Sequence, residues 1–317
     1  MKTSLLSSLQ NVRDFFMRTG LGKFIPFRYA IYEFFIKALW SGKNEIEIQG
    51  SKMYVDVFHP DPAMRNTFRA YAFHRVHEEC TTALFQKIVK PGFTVLDLGA
   101  NIGYFSLLAA KLVGEKGKVY SFEPEPRNYG FLRKNLELNG YKQATAFQKA
   151  VGEQTGTVKL YICHYDTGHH TIQQYDGIQS YNPQFVAEKK DFVEIEKVRL
   201  DDFFKDKLRP VNVIKMDVEG AELLALTGME NLIKANDHLV MFIEFFPLLI
   251  TKMGQSPEEF ARRLLEEFHF KMFVVEHDYS MADKAAQNNL RQVHHVAELM
   301  QLCTGWKDHI NLFLEKP

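Results

Sequence analysis

The sequence predicts an α/β protein built on an open, mostly parallel sheet with helices on both faces. Apolar runs of strand length alternate with segments of helical spacing through most of the 317 residues, as in parallel strands joined by helical crossovers. Four of these runs also end on an acid, at Asp97, Glu123, Asp217 and Glu244. Ligands of such sheets bind beyond the carboxyl ends of the strands, so the four acids predict a site at that edge.

The clearest part of the pattern is a βαβ unit that begins after Pro91. Two apolar runs flank a turn of small residues and a helical segment, which lie in chain order at residues 94–98, 99–103, 105–113 and 118–122. The N-terminus of the helix offers N–H groups to a ligand. Glu123 follows the second strand, where a carboxylate is placed to accept hydrogen bonds from ribose hydroxyls.

The other elements follow from the same periodicities. Strands are predicted at residues 145–151, 158–162, 193–200, 211–217, 239–244, 271–275 and 309–314. Helices are predicted at 71–89, at 126–139, from 201, from 220–226 and at 256–267. The remaining segments are predicted to be a polar connection at 59–69, a long ordered loop on the substrate side at 163–192, and a turn with one helix at 276–308.

The first 74 residues are predicted to form a helical and β-hairpin extension of a main domain at 75–317. Residues 1–43 have helical spacing, with an apolar face that includes Phe34 and Phe35, and 44–58 alternate as in a hairpin. Residues 1–43 also hold seven Lys or Arg against two acids. Such a segment either packs on its own domain as a cap or lies on an anionic membrane or a partner.

Composition excludes several classes of protein. The formal net charge is zero, so we expect no nucleic-acid partner. Cys80, Cys163 and Cys303 form no disulfide or zinc pattern, and a reducing cytoplasm is the simplest location. No signal peptide is expected, and charges interrupt the aromatic-rich stretch at 24–40, which argues against a membrane span. The expected location is therefore cytoplasmic, with possible peripheral membrane contact through residues 1–43.

The glycine turn indicates the kind of nucleotide-like ligand. A dinucleotide fingerprint needs G-x-G-x-x-G, but here Gly99 and Gly103 flank Asn101, which stands where the middle glycine would be. The close approach of a pyrophosphate is therefore not provided. An adenosine ligand without phosphates, such as S-adenosylmethionine, fits this turn better, and a nicotinamide-dependent oxidoreductase is disfavoured.

The turn also carries a family resemblance. The stretch V-L-D-L-G-A-N-I-G-Y-F-S resembles the first motif of class I S-adenosylmethionine-dependent methyltransferases, and K-M-D-V-E-G-A-E-L-L-A-L-T-G at 215–228 resembles the signature of the FkbM family. Further agreement lies in F-E-P-E-P-R-N, N-L-E-L-N-G, A-V-G, L-D-D-F and I-N-L-F. The resemblance covers roughly residues 75–317 and leaves the first 75 unmatched.

This resemblance implies a Rossmann-like, seven-stranded sheet with one antiparallel edge strand, and O-methylation of a hydroxyl on a sugar, glycan or secondary metabolite. By position, the residues implied to contact the methionine end of the cofactor are Asp97, Gly99, Asn101 and Gly103. The resemblance further implies that Glu123 binds the ribose and that Ala150 flanks the adenine. Glu79, just upstream, is an additional expected cofactor contact.

The acceptor side is predicted from the remaining acids and histidines. Asp217 is the first candidate for acceptor positioning or general base, although it could instead cap the helix that follows. Glu244 is expected to line the pocket or to pair with an arginine. His169 or His170 could act as a base or sugar ligand, or remain a solvated loop residue. Asp217, Glu244 and a loop histidine lack a recognisable metal spacing, so no metal is predicted.

One further function of a different class stays open from sequence. The chain could have kept the fold but lost catalysis, and could dock on a membrane surface or partner through its basic N-terminal segment.

Overall fold

The computed structural model describes residues 8, 12, 28–40, 44–74, 76–164, 167–172, 191–205, 210–276, 278, 290–303 and 309–316. Most of the helical prediction for 1–27 and much of the predicted loop at 163–192 lie outside these residues. The chain divides into two compact units, Met1–His77 and Glu78–Pro317. Among the described residues, no helix is both long and apolar enough to cross a lipid bilayer.

The described part of the first unit includes two long helical segments and a hairpin. In chain order its elements are α1 (Arg28–Leu39), β1 (Glu45–Ile48), β2 (Ser51–Tyr54) and α2 (Pro62–His74). Strands β1 and β2 pair antiparallel, which confirms the predicted hairpin.

Two predictions about the following segment are wrong. Residues 59–69 are largely helical rather than a connection, because α2 begins at Pro62, a favoured first position. Asp61 Oδ1 accepts two backbone N–H groups of the first turn, at 2.8 and 3.1 Å. The helix predicted at 71–89 is in fact two helices, since the backbone turns left-handed at Glu78 (φ 46°) before α3 (Glu79–Ile88).

The second unit contains two sheets. Its strands are β3 (Thr94–Leu98), β4 (Lys118–Phe122), β5 (Ala144–Phe147), β6 (Ala150–Val151), β7 (Gly156–Tyr161), β8 (Phe192–Val198), β9 (Val213–Met216), β10 (Val240–Phe245), β11 (Lys271–Val275), β12 (Leu290–Val293) and β13 (Ile310–Glu315). The large sheet has the order β12-β11-β13-β10-β9-β3-β4-β5. Strands β5, β4, β3, β9 and β10 run parallel, which confirms the predicted fold class.

The strand count and the antiparallel position differ from the prediction of seven strands with one antiparallel edge strand. β13 runs antiparallel between β10 and β11, inside the sheet, and β12 adds an eighth strand at the edge. Residues 276–308 were expected to contain only a turn and a helix. β12 is short, and three of its four residues are exposed. Its sequence therefore lacks the apolar alternation of a strand, and only its pairing with β11 identifies it as one.

A smaller sheet of order β6-β8-β7 stands beside the main one. The single strand predicted at 145–151 is split between them: β5 continues the main sheet, whereas β6 pairs with β8. The predicted strand at 158–162 is confirmed as β7, which pairs antiparallel with β8.

Helices cover the large sheet. Beyond α3 they are α4 (Tyr104–Val113), α5 (Pro126–Leu138), α6 (Leu200–Phe203), α7 (Glu222–Gly228), α8 (Glu230–Lys234), α9 (Pro247–Lys252), α10 (Pro257–Arg262), which continues as a π turn over Arg263–Glu267, and α11 (Val296–Leu302). All five residues of β3 and most of α4 are buried. The predicted βαβ unit is therefore the rigid centre from which the site is built.

Candidate active site

The strand register brings the acids of the sheet edge together. Lys215 of β9 lies opposite Asp97 of β3 on one side and Phe242 of β10 on the other. One step further along the strands, Met216 lies opposite Ile243, so Asp217 and Glu244 follow on adjacent strands. Residues two apart on a strand share a face, and the K-x-D spacing therefore puts a lysine and an acid on the same side of the sheet.

The glycine turn packs directly on the acceptor-side strand. The N–H of Asp217 donates to the carbonyl of Leu98 at 2.9 Å, and the N–H of Gly99 donates to the carbonyl of Phe122 at 2.9 Å. A Cβ at Gly99 would lie 1.7 Å from the carbonyl oxygen of Asp217. Only glycine allows this approach, so Gly99 joins the predicted cofactor turn to the predicted catalytic acid.

Glu123 is held in place by the same turn. Its Oε2 accepts the N–H of Asn101 at 2.8 Å and its Oε1 accepts the N–H of Glu125 at 2.9 Å. Asn101 reaches this position with φ of 49°. Burial raises the pKa of Glu123 to about 8, against the lowering effect of these two hydrogen bonds. Each oxygen keeps a further lone pair, so the carboxylate can accept the two hydroxyls of a ribose.

Asp97, the first of the predicted cofactor contacts, accepts a hydrogen bond from a buried serine. It is buried, and its Oδ2 accepts the hydroxyl of Ser106 at 2.5 Å, which in turn lies 2.7 Å from the hydroxyl of Ser121. Burial raises the pKa of Asp97 to about 6. Asp97 therefore ties β3 and β4 to the first turn of α4, whose start at Gly103 (φ 100°) faces Leu132.

A buried lysine and glutamate were missed by the sequence reasoning. Lys215 Nζ lies 3.5 Å from Glu78 Oε2 and 5.0 Å from the centre of the Phe105 ring. The amide of Asn311 donates to both Glu78 Oε2 and Asp278 Oδ2, at 3.0 Å each. The signal that could have revealed Lys215 is its place two residues before Asp217 in a strand that otherwise reads as fully apolar.

The structure places Glu79, the predicted additional cofactor contact, on the exposed side of the first turn of α3. Its neighbour Glu78 is the buried residue. Glu78 rather than Glu79 is the buried acid because the left-handed backbone at Glu78 turns the chain immediately before the helix.

Three carboxylates gather beyond the strand ends. Oxygen atoms of Asp217, Glu219 and Glu244 all lie within 4.8 Å of one another, and Oδ1 of Asp217 is buried without a hydrogen bond. Burial raises the pKa of Glu244 well above its usual range, and the charges of Asp217 and Glu219 add to this effect. This spacing suits a cationic ligand or a divalent cation, and the expected absence of a metal stays a prediction.

Glu222 is the last acid of the D-V-E-G-A-E motif, and its side chain stabilises the turn that follows Asp217. Its Oε1 accepts the N–H groups of Val218 and Gly220, at 3.3 and 3.2 Å. It is buried, and burial raises its pKa to about 8. Of the acids in D-V-E-G-A-E, Glu222 therefore supports the turn, whereas Asp217 and Glu219 belong to the cluster.

The histidines separate into different environments. His169 Nδ1 lies 3.1 Å from Glu219 Oε1, so the structure brings this predicted residue to the cluster. His170 is buried, and its Nδ1 accepts the N–H of Cys163 at 3.0 Å, which is a structural role. His309, which the sequence reasoning did not consider, lies 3.9 Å from Glu244.

Ala150, the predicted neighbour of the adenine, is buried at the start of β6 and pairs with Lys197 of β8. It follows the end of β5, two strands from the glycine turn in the sheet order. The small sheet therefore begins at the predicted neighbour of the adenine, whose role stays a prediction.

Comparison with known proteins gives a family match and several relatives. A family model described as Methyltransferase FkbM domain matches residues 97–304. Methyltransferase 1 of Beauveria bassiana is 25% identical over 200 residues, which cover 60% of this chain and 76% of the relative. The 31-O-demethyl-FK506 methyltransferase FkbM of Streptomyces tacrolimicus is 27% identical over 166 residues, which cover 45% and 62%.

Solved structures also align with the chain. The methyltransferase FkbM of Methylobacillus flagellatus KT has a TM-score of 0.36 and 16% identity, over 81% of this chain and 55% of that one. A SAM-dependent methyltransferase from Aquifex aeolicus has a TM-score of 0.37 and 16% identity, over 75% and 90%.

Proposed function

The chain belongs to the FkbM methyltransferase family, and from this premise we propose that it methylates a hydroxyl oxygen of a sugar, glycan or secondary metabolite. The enzyme class and the cofactor, S-adenosylmethionine, follow from the family. The Streptomyces tacrolimicus relative supports the choice of an oxygen acceptor, since its name specifies the 31-O position of FK506. The cytoplasmic location expected from the cysteines stays a prediction.

One observation carries the proposed site. The carbonyl oxygen of Asp217 lies where a Cβ of Gly99 would be, at 1.7 Å, so the cofactor turn and the acidic cluster are in direct contact. A methyl group carried by a cofactor on the turn has to meet its acceptor near that contact, because methyl transfer is an in-line displacement that depends on positioning.

The residues around the turn fit the cofactor. Glu123 supplies two acceptor oxygens whose orientation is fixed by the N–H groups of Asn101 and Glu125. The adjacent carboxylates of Asp217 and Glu219 suit a ligand that carries positive charge. S-adenosylmethionine supplies an electrophilic methyl group on a positively charged sulfur. Gly99 and Gly103 are proposed to lie beside its methionine end, as the family resemblance implies.

Asp217 is proposed to accept the proton of the acceptor hydroxyl. Its Oδ1 is buried and makes no hydrogen bond, so it has capacity for a new donor. Glu244 is the second carboxylate beside the acceptor, and its raised pKa favours a protonated form that donates a hydrogen bond. His169, paired with Glu219, is proposed to orient the acceptor from the loop side.

The first test identifies the acceptor. Mass spectrometry of glycans and small metabolites from cells with and without the gene is expected to reveal one compound that lacks a single methyl group when the gene is absent. Purified protein should then restore that methyl group when S-adenosylmethionine is added. Restoration on a nitrogen or carbon atom would contradict the proposal of a hydroxyl acceptor.

The second test concerns Asp217. Asp217→Asn is expected to lower kcat about 100- to 10,000-fold, since a positioned base contributes about this factor. Calorimetric binding of S-adenosylmethionine should persist, and the matched control Asp237→Asn changes an exposed acid before β10 and should leave kcat unchanged. An Asp217→Asn variant with wild-type kcat would exclude Asp217 as the base.

A further inference from the structure

Helix α1 is apolar on two opposite sides. Tyr32 and Ile36 are buried in the first unit, whereas Ile31, Phe34 and Phe35 are 47%, 67% and 44% exposed. The residues that share the exposed side are Ile31, Phe34, Phe35 and Ala38, and they are called the outer face below. The sequence left open whether this segment caps its own domain or docks on a membrane or a partner, and both alternatives stay predictions. The helix packs through its other side.

A buried arginine fixes the orientation of the helix. Arg69 of α2 is 4% exposed and donates to both carboxylate oxygens of Glu33, at 2.7 and 2.9 Å. Its Nε also donates to the carbonyl of Val57 at 2.8 Å, and its guanidinium lies over the Tyr32 ring. Bidentate pairs of this kind fix geometry. The exposure of the outer face is therefore built into the packing of the first unit.

Exposed apolar residues are concentrated on this helix. In the described part of the chain the large hydrophobic side chains that are exposed are Val12, Ile31, Phe34, Phe35, Phe58, Phe192 and Leu290. Three of these seven lie within five consecutive residues of α1, and the Phe34 and Phe35 rings contact edge to face. Single exposed hydrophobics are ordinary, but a contiguous group indicates an interaction surface.

Charge indicates what the surface binds. Residues 1–43 contain seven Lys or Arg, and of their two acids, Asp14 and Glu33, the second is neutralised by Arg69. Lys37 is exposed on α1, one turn after Phe34. We propose that the outer face of α1 docks on an anionic phospholipid surface, with the two phenylalanines in the acyl boundary and Lys37 at the headgroups. This inference is independent of the proposed methyl acceptor.

A lipid surface fits better than a second copy of the chain. Two copies would bring together two segments with the same excess of positive charge, whereas an anionic membrane attracts each basic residue near it. Aromatic residues on one side of a short helix and a lysine at its edge are the features of helices that lie in the membrane plane. Long Lys side chains extend from such a position to the headgroups.

The test measures binding of the full chain to vesicles. Sedimentation with vesicles of phosphatidylcholine and phosphatidylserine is expected to carry the protein down, and vesicles of phosphatidylcholine alone should carry down little. The double variant Phe34→Ser with Phe35→Ser should bind at least about tenfold more weakly, since each ring loses its apolar burial. Lys37→Glu should weaken binding about fivefold or more, and the loss should shrink at high salt.

Phe58→Ser is the matched control, because Phe58 is a phenylalanine of the first unit outside α1 and is exposed to nearly the same extent as Phe35. It should bind vesicles as the wild type does. Circular dichroism should confirm that all variants are folded. Equal binding to both vesicle types, absence of binding by the wild type, or full binding by the double variant would overturn the proposal. So would a concentration-dependent dimer that the double variant abolishes, because the outer face would then be covered by a second copy.

Discussion

Lys215 Nζ lies 3.5 Å from Glu78 Oε2, and both side chains are almost completely buried. Burial alone lowers the pKa of the lysine, but the charges of Glu78, Asp217, Glu244 and Asp97 outweigh it and hold that pKa above its usual range. The ammonium is therefore charged at all ordinary pH values. It is the cation beneath the acidic cluster, and it limits the repulsion among the carboxylates that surround it.

Removal of this cation is expected to destabilise the fold. Lys215→Met should lower the free energy of unfolding by about 3–5 kcal/mol, because it leaves Glu78 buried without its partner. Adding Glu78→Gln should recover part of that loss, and urea denaturation of the four proteins gives the coupling. Arg133→Met is the control, since its pair with Glu137 is exposed on α5, and it should change stability little. Additive losses from Lys215→Met and Glu78→Gln would show that the pair is not coupled.

Gly99→Ala should be far more damaging than the same change at Gly92. The two glycines have nearly equal φ angles, 83° and 87°, but a Cβ at Gly92 meets nothing within 4 Å. Gly92→Ala should therefore cost only the left-handed backbone, about 1–2 kcal/mol. Gly99→Ala adds the collision with Asp217, at least about 2 kcal/mol more. Thermal denaturation compares the two, and equal losses would mean that β3 and β9 can separate at this point.

The buried acids make stability depend on pH in an unusual direction. The pKa values of Asp97, Glu123 and Glu222 are raised by burial to about 6, 8 and 8. Because these values exceed those of the unfolded chain, folding favours the protonated acids. Their contribution is complete below about pH 4 and is lost as pH rises toward about 8. Denaturant titrations across this window should show falling stability, with a smaller slope in Glu222→Gln. A rise in stability toward pH 8 in the wild type would contradict the expectation.

Cofactor binding should strengthen over part of the same range. If ribose hydroxyls donate to Glu123, binding favours its ionised form and releases a proton from a group with a pKa of about 8. The Kd for S-adenosylmethionine should fall as pH rises to about 8, by up to about tenfold per pH unit. Calorimetry in buffers of different ionisation enthalpy detects the proton. Glu123→Gln should bind at least about tenfold more weakly and without this pH dependence, whereas Glu137→Gln on the surface of α5 should bind normally.

Much of the fold is predictable because it is encoded locally. The βαβ unit from β3 to β4 can be predicted from two apolar runs, a glycine turn and a helical segment. The starts of α5 and α10 can be predicted from the prolines that follow Glu125 and Ser256. The eighth strand is not visible. Its residues are mostly exposed, and only pairing with β11 makes them a strand.

Some residues of the site can likewise be predicted from local sequence, whereas others depend on partners distant in the chain. Asp217 and Glu244 follow from the rule that ligands bind beyond strand ends, and the register brings them together. The burial of Glu78 and the exposure of Glu79 cannot be predicted from that rule, because one left-handed residue decides which of the two adjacent acids is buried. Lys215 was missed because a charged residue in a buried strand is acceptable only when its partners, distant in sequence, are known.

The small sheet has a consequence for how new specificities arise. The N–H of Ile162 donates to the carbonyl of Asp191 at 2.9 Å, directly after β7 and before β8. The two ends of the intervening segment are therefore held together, and its described residues 167–172 return to the site, where His169 Nδ1 lies 3.1 Å from Glu219 Oε1. Substitutions in those residues can change the surroundings of the acidic cluster without altering β3, β4 or β9. A lineage can thus change what it methylates while the methyl-donating half stays the same.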